Sequence, residues 1–342
     1  MTTELHQPLS GLLDGGAHAR ADLVRGGVST HDLRGSAWRR TNRGLWVHTP
    51  DGVIPRGPWD RIRQAAPLTG EHGAIGGWAA AHAHGVLDLD GLGPDRRELP
   101  VMLCRPRASR CRRTQGVELV RSDLSDDDIV VIDGVQVTSR LRTAVDLARL
   151  TTSFVEAVVR VDAMMRDGEA AGGLAAEMGE WLGRHPRRRG VAQARRVLAF
   201  ARAGVESLPE SRLRLIWVVE ARLPPPLVNP WVYSRDGRLL GRADLMDEGA
   251  ALIGEYDGGH HATAARRSKD HQRREDMQGG GLIVLQFTGV DIGPRRPTAV
   301  ARLHAAHAAG MMRDRSRDHW VIGDPPSWAR SGGSWSGSRS QS

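Results

Sequence analysis

The sequence predicts a mixed α/β protein, and three observations carry that expectation. Residues 17–50 run helix, turn, helix and hairpin; residues 140–204 keep a helical apolar spacing; residues 205–320 alternate helix, strands, helix and strand. The chain has 342 residues, roughly two domains' worth. Its hydrophobic content of 40% and charged content of 26% are those of an ordinary globular protein. No run of about 18 apolar residues is present, which excludes a transmembrane helix. The N-terminus, MTTELHQPLSGLLDGG, lacks the basic start and apolar stretch of a signal peptide, so a cytoplasmic location without a membrane partner is expected.

The formal net charge is +8, and Lys269 is the single lysine among 48 basic residues. Arginine stays charged and grips phosphate with two donors, so a basic face here suits nucleic acid, with DNA the expected partner. GC-rich coding with solvated arginines gives the same count. Along the chain, Ala17–Gly26 predicts a short helix, Gly27 a turn, and Ser29 or Thr30 a cap for a second helix through Leu33. Trp38-Arg39-Arg40 and Leu45-Trp46-Val47 then flank Thr41-Asn42-Arg43-Gly44 as a hairpin. This is the winged-helix order over residues 1–50. In it the second helix enters the major groove while Arg39, Arg40 and Arg43 meet phosphate. A small scaffold without DNA contact is the alternative.

Residues 51–204 read as a mixed segment followed by helices. Glu98–Leu103 and Gly116–Val120 are strand-like, and Thr138-Ser139 caps a helix carrying Leu141, Val145, Leu147 and Leu150. Phe154, Val158, Val161 and Met164 continue on a second helix; His185-Pro186-Arg187-Arg188-Arg189-Gly190 breaks the pattern, and Val191–Ala203 resumes it. The Arg187–Arg189 run and the arginines around Cys104 and Cys111 are phosphate contacts or solvated loops. The two cysteines, without further thiols, are structural. The stretches GVSTHDLRG, WRRTNRGLWV, GAIGGWAAAHAHGV and GVQVTSRLRTAVDLARL resemble the N-terminal region of actinobacterial proteins related to the AbiEi antitoxin. That resemblance, over about residues 10–165, implies a winged-helix domain and a link to toxin–antitoxin or phage-defence systems; a cognate toxin partner is unknown. His82 and His84 within it are expected to be packing or capping histidines rather than ligands.

In the C-terminal part, Pro209–Arg222 predicts a helix ended by Pro224-Pro225-Pro226. Leu227–Tyr233, Leu239–Met246 and Leu252–Asp257 predict strands, residues 262–278 a polar helix, and Leu282–Phe287 a buried strand, giving the order α-β-β-β-α-β. A two-residue loop at Glu248-Gly249 would pair Asp247 with Ala250, Leu245 with Leu252 and Asp244 with Ile253. Asp244, Ile253, Glu255 and Asp257 then share a face, with Glu255 a diagonal neighbour of Asp244. Carboxylates converging there repel unless a cation lies between them, and such oxygen ligands suit Mg²⁺ or Mn²⁺. A solvated strand end is the alternative.

The order of elements resembles the PD-(D/E)XK nuclease core. ESRLR, GRADLMDEGAALIGEYDGGHH and KDHQRREDMQGGGLIVLQFT resemble, more closely, the family related to very-short-patch-repair endonucleases, over about residues 205–292. The resemblance implies Asp244 and Glu255 as metal-binding acids and Glu210 as the helix acid. It places His260 and His261 at the histidine after the third strand, and Asp270, Arg273 and Asp276 on the helix that carries an R-D signature. Asp257 stands where the broader pattern has lysine. The implied catalytic set is Glu210, Asp244, Glu255, Asp257, His260, His261 and Arg273, with a divalent ion supplying charge and His260 or His261 a base. The adjacent histidines are alternatively a polar turn after the glycines. The expected domains are a winged helix at 1–50, a mixed and helical region at 51–204, a nuclease-like domain at 205–320 and a disordered tail at 321–342. The expected function is a DNA-binding, metal-dependent endonuclease; the rival is a regulator or antitoxin whose nuclease-like fold does not cut.

Overall fold

The structure, a computed structural model, describes residues 16–42, 44–49, 52–54, 56–109, 114–166, 168–258 and 264–330. The chain divides into two compact units, one formed by residues up to 164 with 172–200, the other by 165–171 with residues from 201 onward. The protein is mixed α/β, with several sheets and flanking helices. Among the described residues no helix is long and apolar enough to cross a membrane.

In the first unit, β1 (Ala17–Ala19) leads into α1 (Arg20–Arg25). Gly27, at φ +96, turns the chain in a conformation that costs glycine little. The expected second helix is a single 3₁₀ turn over Asp32–Arg34. Ser29 and Asp32 cap it reciprocally, with Asp32 Oδ2 accepting from the Ser29 amide at 2.9 Å and Ser29 Oγ accepting from the Asp32 amide at 3.1 Å. Gly35 follows at once, so the segment has room for one turn and offers no recognition helix.

The expected hairpin is present as β2 (Trp38–Asn42) and β3 (Leu45–His48), in a sheet ordered β1-β3-β2. Leu23, Val28, Leu33 and Trp38 pack together, while Ala17, Leu45 and Val47 form a separate cluster. Arg39 pairs with Val47 and Arg40 with Trp46, so the two arginines point to opposite faces of the hairpin. They therefore do not make one phosphate-facing row. Arg43 lies outside the described residues.

A five-stranded sheet follows, ordered β6-β5-β4-β8-β7, from β4 (Ala74–Gly76), β5 (Val101–Arg105), β6 (Val117–Arg121), β7 (Ile129–Ile132) and β8 (Val135–Thr138). Two earlier helices belong to this unit, α2 (Pro58–Ala65) and α3 (Gly77–Ala83). The next is α4 (Arg140–Leu150), capped by Ser139, whose Oγ accepts from the Arg142 amide at 3.4 Å. The helices α5 (Phe154–Met164), α6 (Gly168–Arg184) and α7 (Val191–Phe200) follow.

The most buried face of α4 carries charge. Asp146 is fully buried and accepts from Arg142 Nε at 3.1 Å and from Arg149 Nε at 2.6 Å. Arg142 also reaches Asp128 at 2.9 Å and Ser122 Oγ at 2.6 Å. Cys104 Sγ lies 3.9 Å from Asp146 Oδ2. Burial, with Asp146 beside it, pushes the Cys104 thiol up to about 12 and leaves it inert, as expected of a structural cysteine; Cys111 lies outside the described residues.

His82 and His84, at the end of α3, are held below the ordinary imidazole value, mainly by burial. The Thr138 carbonyl only accepts, so His84 Nε2, 2.8 Å away, carries the proton and donates. Protonating either ring favours the unfolded chain. Its contribution is therefore present above the unfolded value near pH 6.5 and is lost as pH falls through that value toward the lower folded one. The urea midpoint of this unit should drop between about pH 7.5 and 5.5, and a His84→Gln variant should show a smaller drop. A pH-independent midpoint would contradict this account.

In the second unit, α8 (Leu208–Leu215) continues through a π-type turn at Ile216–Glu220. Two of the expected strands are each broken. Leu227–Tyr233 divides into β9 (Leu227–Val228) and β10 (Trp231–Ser234), with Asn229 at φ +53 before Pro230. Leu239–Met246 divides into β11 (Leu239–Arg242) and β12 (Leu245–Asp247). One half of each joins β13 (Leu252–Tyr256) and β14 (Ile283–Phe287) in a sheet ordered β14-β13-β12-β9; the other half joins β15 (Trp320–Gly323) in a sheet ordered β11-β10-β15.

The helix α9 (Ala264–Gly279) separates β13 from the parallel strand β14, and α10 (Arg296–Met311) follows. Leu245, Leu252 and Phe287 pack with Trp217 of the π-type turn and Leu303 of α10; Met246, Ile253 and Val284 pack with Met277 of α9 and Trp320. Trp320 and Ile322 thus belong to the core, which corrects the expectation of disorder from residue 321. Trp328 of the short helix α11 (Ser327–Arg330) meets Trp231 edge-on at 5.5 Å, and Tyr233 donates to the Asp324 carbonyl at 2.8 Å. Residues 331–342 lie outside the described residues.

Candidate functional site

The acids are placed by the β12–β13 hairpin. Leu245 pairs with Gly254, Met246 with Ile253 and Asp247 with Leu252. The turn is therefore four residues long, Glu248 to Ala251, closed by the Ala250 amide donating to Asp247 Oδ1 at 3.0 Å. This corrects the two-residue loop and moves the register by two. Because side chains alternate with period two, the faces are unchanged. The paired register ends at Leu245, so Asp244 lies just before the ladder and meets β13 through the Tyr256 amide, next to Glu255. Leu252 and Gly254 face Trp217, while Ile253 and Glu255 face α9.

Glu255 is 6% exposed, and a carboxylate so buried requires a partner. Arg273 of α9 supplies it, with Nη2 donating to Glu255 Oε1 at 2.8 Å while Nη1 donates to the Arg242 carbonyl at 3.0 Å. The stem of Arg273 runs over Gly241, where a Cβ would sit 2.8 Å from Arg273 Cδ, so glycine there makes room for the guanidinium's approach. Asp244 is half-buried, and its Oδ2 accepts from the Tyr256 amide at 2.9 Å. Asp257 is exposed just past β13, its amide donating to the Phe287 carbonyl at 2.7 Å. Burial raises the neighbouring Tyr256 phenol, against the lowering effect of Arg212.

Glu210 is buried but serves the start of α8. It accepts from the Ser207 hydroxyl at 2.8 Å and the Glu206 amide at 3.3 Å, while Ser207 Oγ accepts from the Glu210 amide at 3.3 Å. The S-x-x-E spacing is the sequence signal of a capping box; here the carboxylate takes the Glu206 amide, one residue before the cap. Asp276 of α9 pairs with Arg238 at 2.8 Å. His260 and His261 lie outside the described residues. The structure thus pairs Glu255 with Arg273, sets Asp244 on the Tyr256 amide next to Glu255, and gives Glu210 a helix-capping role. Among the described residues no group of three or more His, Cys, Asp or Glu side chains is arranged to hold a metal ion. Mg²⁺ keeps several waters and takes one or two carboxylates together with substrate phosphate oxygens, so it does not require a group of three.

The chain matches no protein-family model. It is similar to two Mycobacterium tuberculosis proteins, the uncharacterized protein MT2308 of strain CDC 1551 / Oshkosh and the uncharacterized protein Rv2248 of strain ATCC 25618 / H37Rv. Each is 28% identical over 177 residues, covering 52% of this chain and 63% of the relative. The match thus spans less than two thirds of those relatives' length. Among solved structures, the RV2827C protein from Mycobacterium tuberculosis aligns with a TM-score of 0.31 and 16% identity, over 58% of this chain and 82% of that one.

Proposed function

We propose that the chain is a cytoplasmic DNA-binding protein whose second unit hydrolyses phosphodiesters with a divalent metal ion held by Asp244 and Glu255. The observation that carries this reading is the pair itself. Asp244, just before β12, accepts from the Tyr256 amide of β13 at 2.9 Å, and the preceding residue of β13, Glu255, is almost wholly buried. The order helix, antiparallel strands, helix, parallel strand, shared with the family of very-short-patch-repair endonucleases by resemblance, supports it. A bound divalent ion supplies an activated water and offsets phosphate charge. Within the chain, Arg273 holds Glu255 in place.

A second reading is favoured by the same ion pair. Arg273 already neutralises Glu255 at 2.8 Å, as a cation would. On that reading the unit is a non-catalytic regulator or antitoxin, and the pair is structural. Incubating the purified full chain with duplex DNA in Mn²⁺ or in EDTA separates the two. Mn²⁺-dependent cleavage supports hydrolysis; intact DNA under both conditions supports the regulator.

A further inference from the structure

A dense cluster of positive charge lies in the first unit, apart from the acids. Arg107, in the turn after β5, and Arg184, Arg187, Arg188 and Arg189, at the end of α6 and in the turn before α7, line one concavity of about 450 Å³ together with His185. The sequence shows two separate basic segments; the fold brings them to one place. Among the described residues, none of these five guanidinium groups has a carboxylate within ion-pair distance. The nearby carboxylate of Asp123 accepts instead from the Arg107 amide, at 3.3 Å.

Both walls are fixed through their backbones. Gly190, at φ +82, lies so close to the Arg149 carbonyl that a Cβ would collide with it, and Arg149 Nη1 donates to the Arg189 carbonyl at 3.3 Å. His185 stacks on Trp181 at 4.1 Å and donates from Nδ1 to the Trp181 carbonyl at 2.8 Å. On the opposite wall, Ser122 donates to the Arg105 carbonyl at 2.9 Å and Arg121 to the Pro106 carbonyl at 3.2 Å. Arg188 joins the walls, donating to Ser122 Oγ at 3.4 Å. The other four arginines are exposed.

Like charges crowded on neighbouring loops repel, and an anion that meets several of them at once relieves the repulsion. Planar guanidinium forks match phosphate oxygens, and most protein–DNA hydrogen bonds go to phosphate and sugar. We propose that this concavity seats successive phosphates of a nucleic-acid backbone, as a sequence-independent contact. The inference rests on the DNA-binding part of the proposed function and names the surface that does the holding.

The test is fluorescence anisotropy of the full chain on a labelled mixed-sequence duplex across a salt series in EDTA, so that cleavage plays no part. The variant carries Arg107→Ala, Arg187→Ala and Arg189→Ala, three exposed positions outside the acidic site. Each phosphate contact contributes about −0.9 to the slope of log K against log salt, so the variant's slope should be shallower by roughly two to three. An unchanged slope in a variant of a chain that does bind overturns this inference alone. A wild-type chain that binds no duplex overturns both it and the DNA-binding reading. If thermal stabilisation by inorganic phosphate is lost in the variant while the duplex slope is unchanged, the cavity takes a small phosphate and the nucleic-acid assignment fails.

Discussion

Asp244→Ala and Glu255→Gln should each lower Mn²⁺-dependent DNA cleavage by at least about 100-fold, since a divalent ion's contribution to a phosphoryl transition state is several kcal/mol. The substitutions differ for a reason. Glu255→Ala would strand the Arg273 guanidinium, which is 15% exposed, without its carboxylate and would confound lost chemistry with lost stability. Glutamine keeps an oxygen for Arg273 and removes the charge. Circular dichroism melts should leave Glu255→Gln close to wild type. Variants that cut at the wild-type rate would remove these acids from the chemistry.

Asp146→Ala should destabilise the first unit by about 3–5 kcal/mol, the range for removing one partner of a fully buried ion pair. Two guanidinium groups converge on this carboxylate, and both Arg142 and Arg149 are themselves buried. Removing it leaves two buried positive charges, only one of which has another carboxylate, Asp128, at hand. Urea unfolding of the purified full chain measures the effect. A loss under about 1 kcal/mol, typical of a surface pair, would mean that water reaches the network.

Part of this was legible in the residues. The order of elements in the second unit is punctuated by Pro224–Pro226, Asp236-Gly237 and Gly279–Gly281, so the sequence of helix and strands could be read directly. That Asp244 and Glu255 come from the open end of one hairpin follows from the strand order, and it holds although the register differs by two. The register itself depends on loop length, which the Asp247–Ala250 hydrogen bond sets and local propensity does not reveal. The division of two strands between two sheets is a tertiary matter, decided where Asn229 and Ala243 turn the chain. The Arg273–Glu255 pair joins residues eighteen apart on different elements, and no short-range pattern encodes it. The expected second helix at the N-terminus is one 3₁₀ turn, because Gly35 closes the segment that Ser29 opens before a second helical turn can form. The burial of Asp146 has no signal in the helical period, since it depends on what packs against that face of the helix.

The most direct measurement is calorimetric titration of the full chain with Mn²⁺, comparing wild type with an Asp244→Asn, Glu255→Gln double variant. Both substitutions keep a carbonyl oxygen at each position while removing the charge that attracts a divalent ion. The account predicts one Mn²⁺ site in wild type that is lost, or weakened by at least about tenfold (roughly 1.4 kcal/mol), in the double variant. A wild-type chain that binds no Mn²⁺, or a double variant that binds it equally well, would contradict the account and leave Arg273 as the only cation that Glu255 serves.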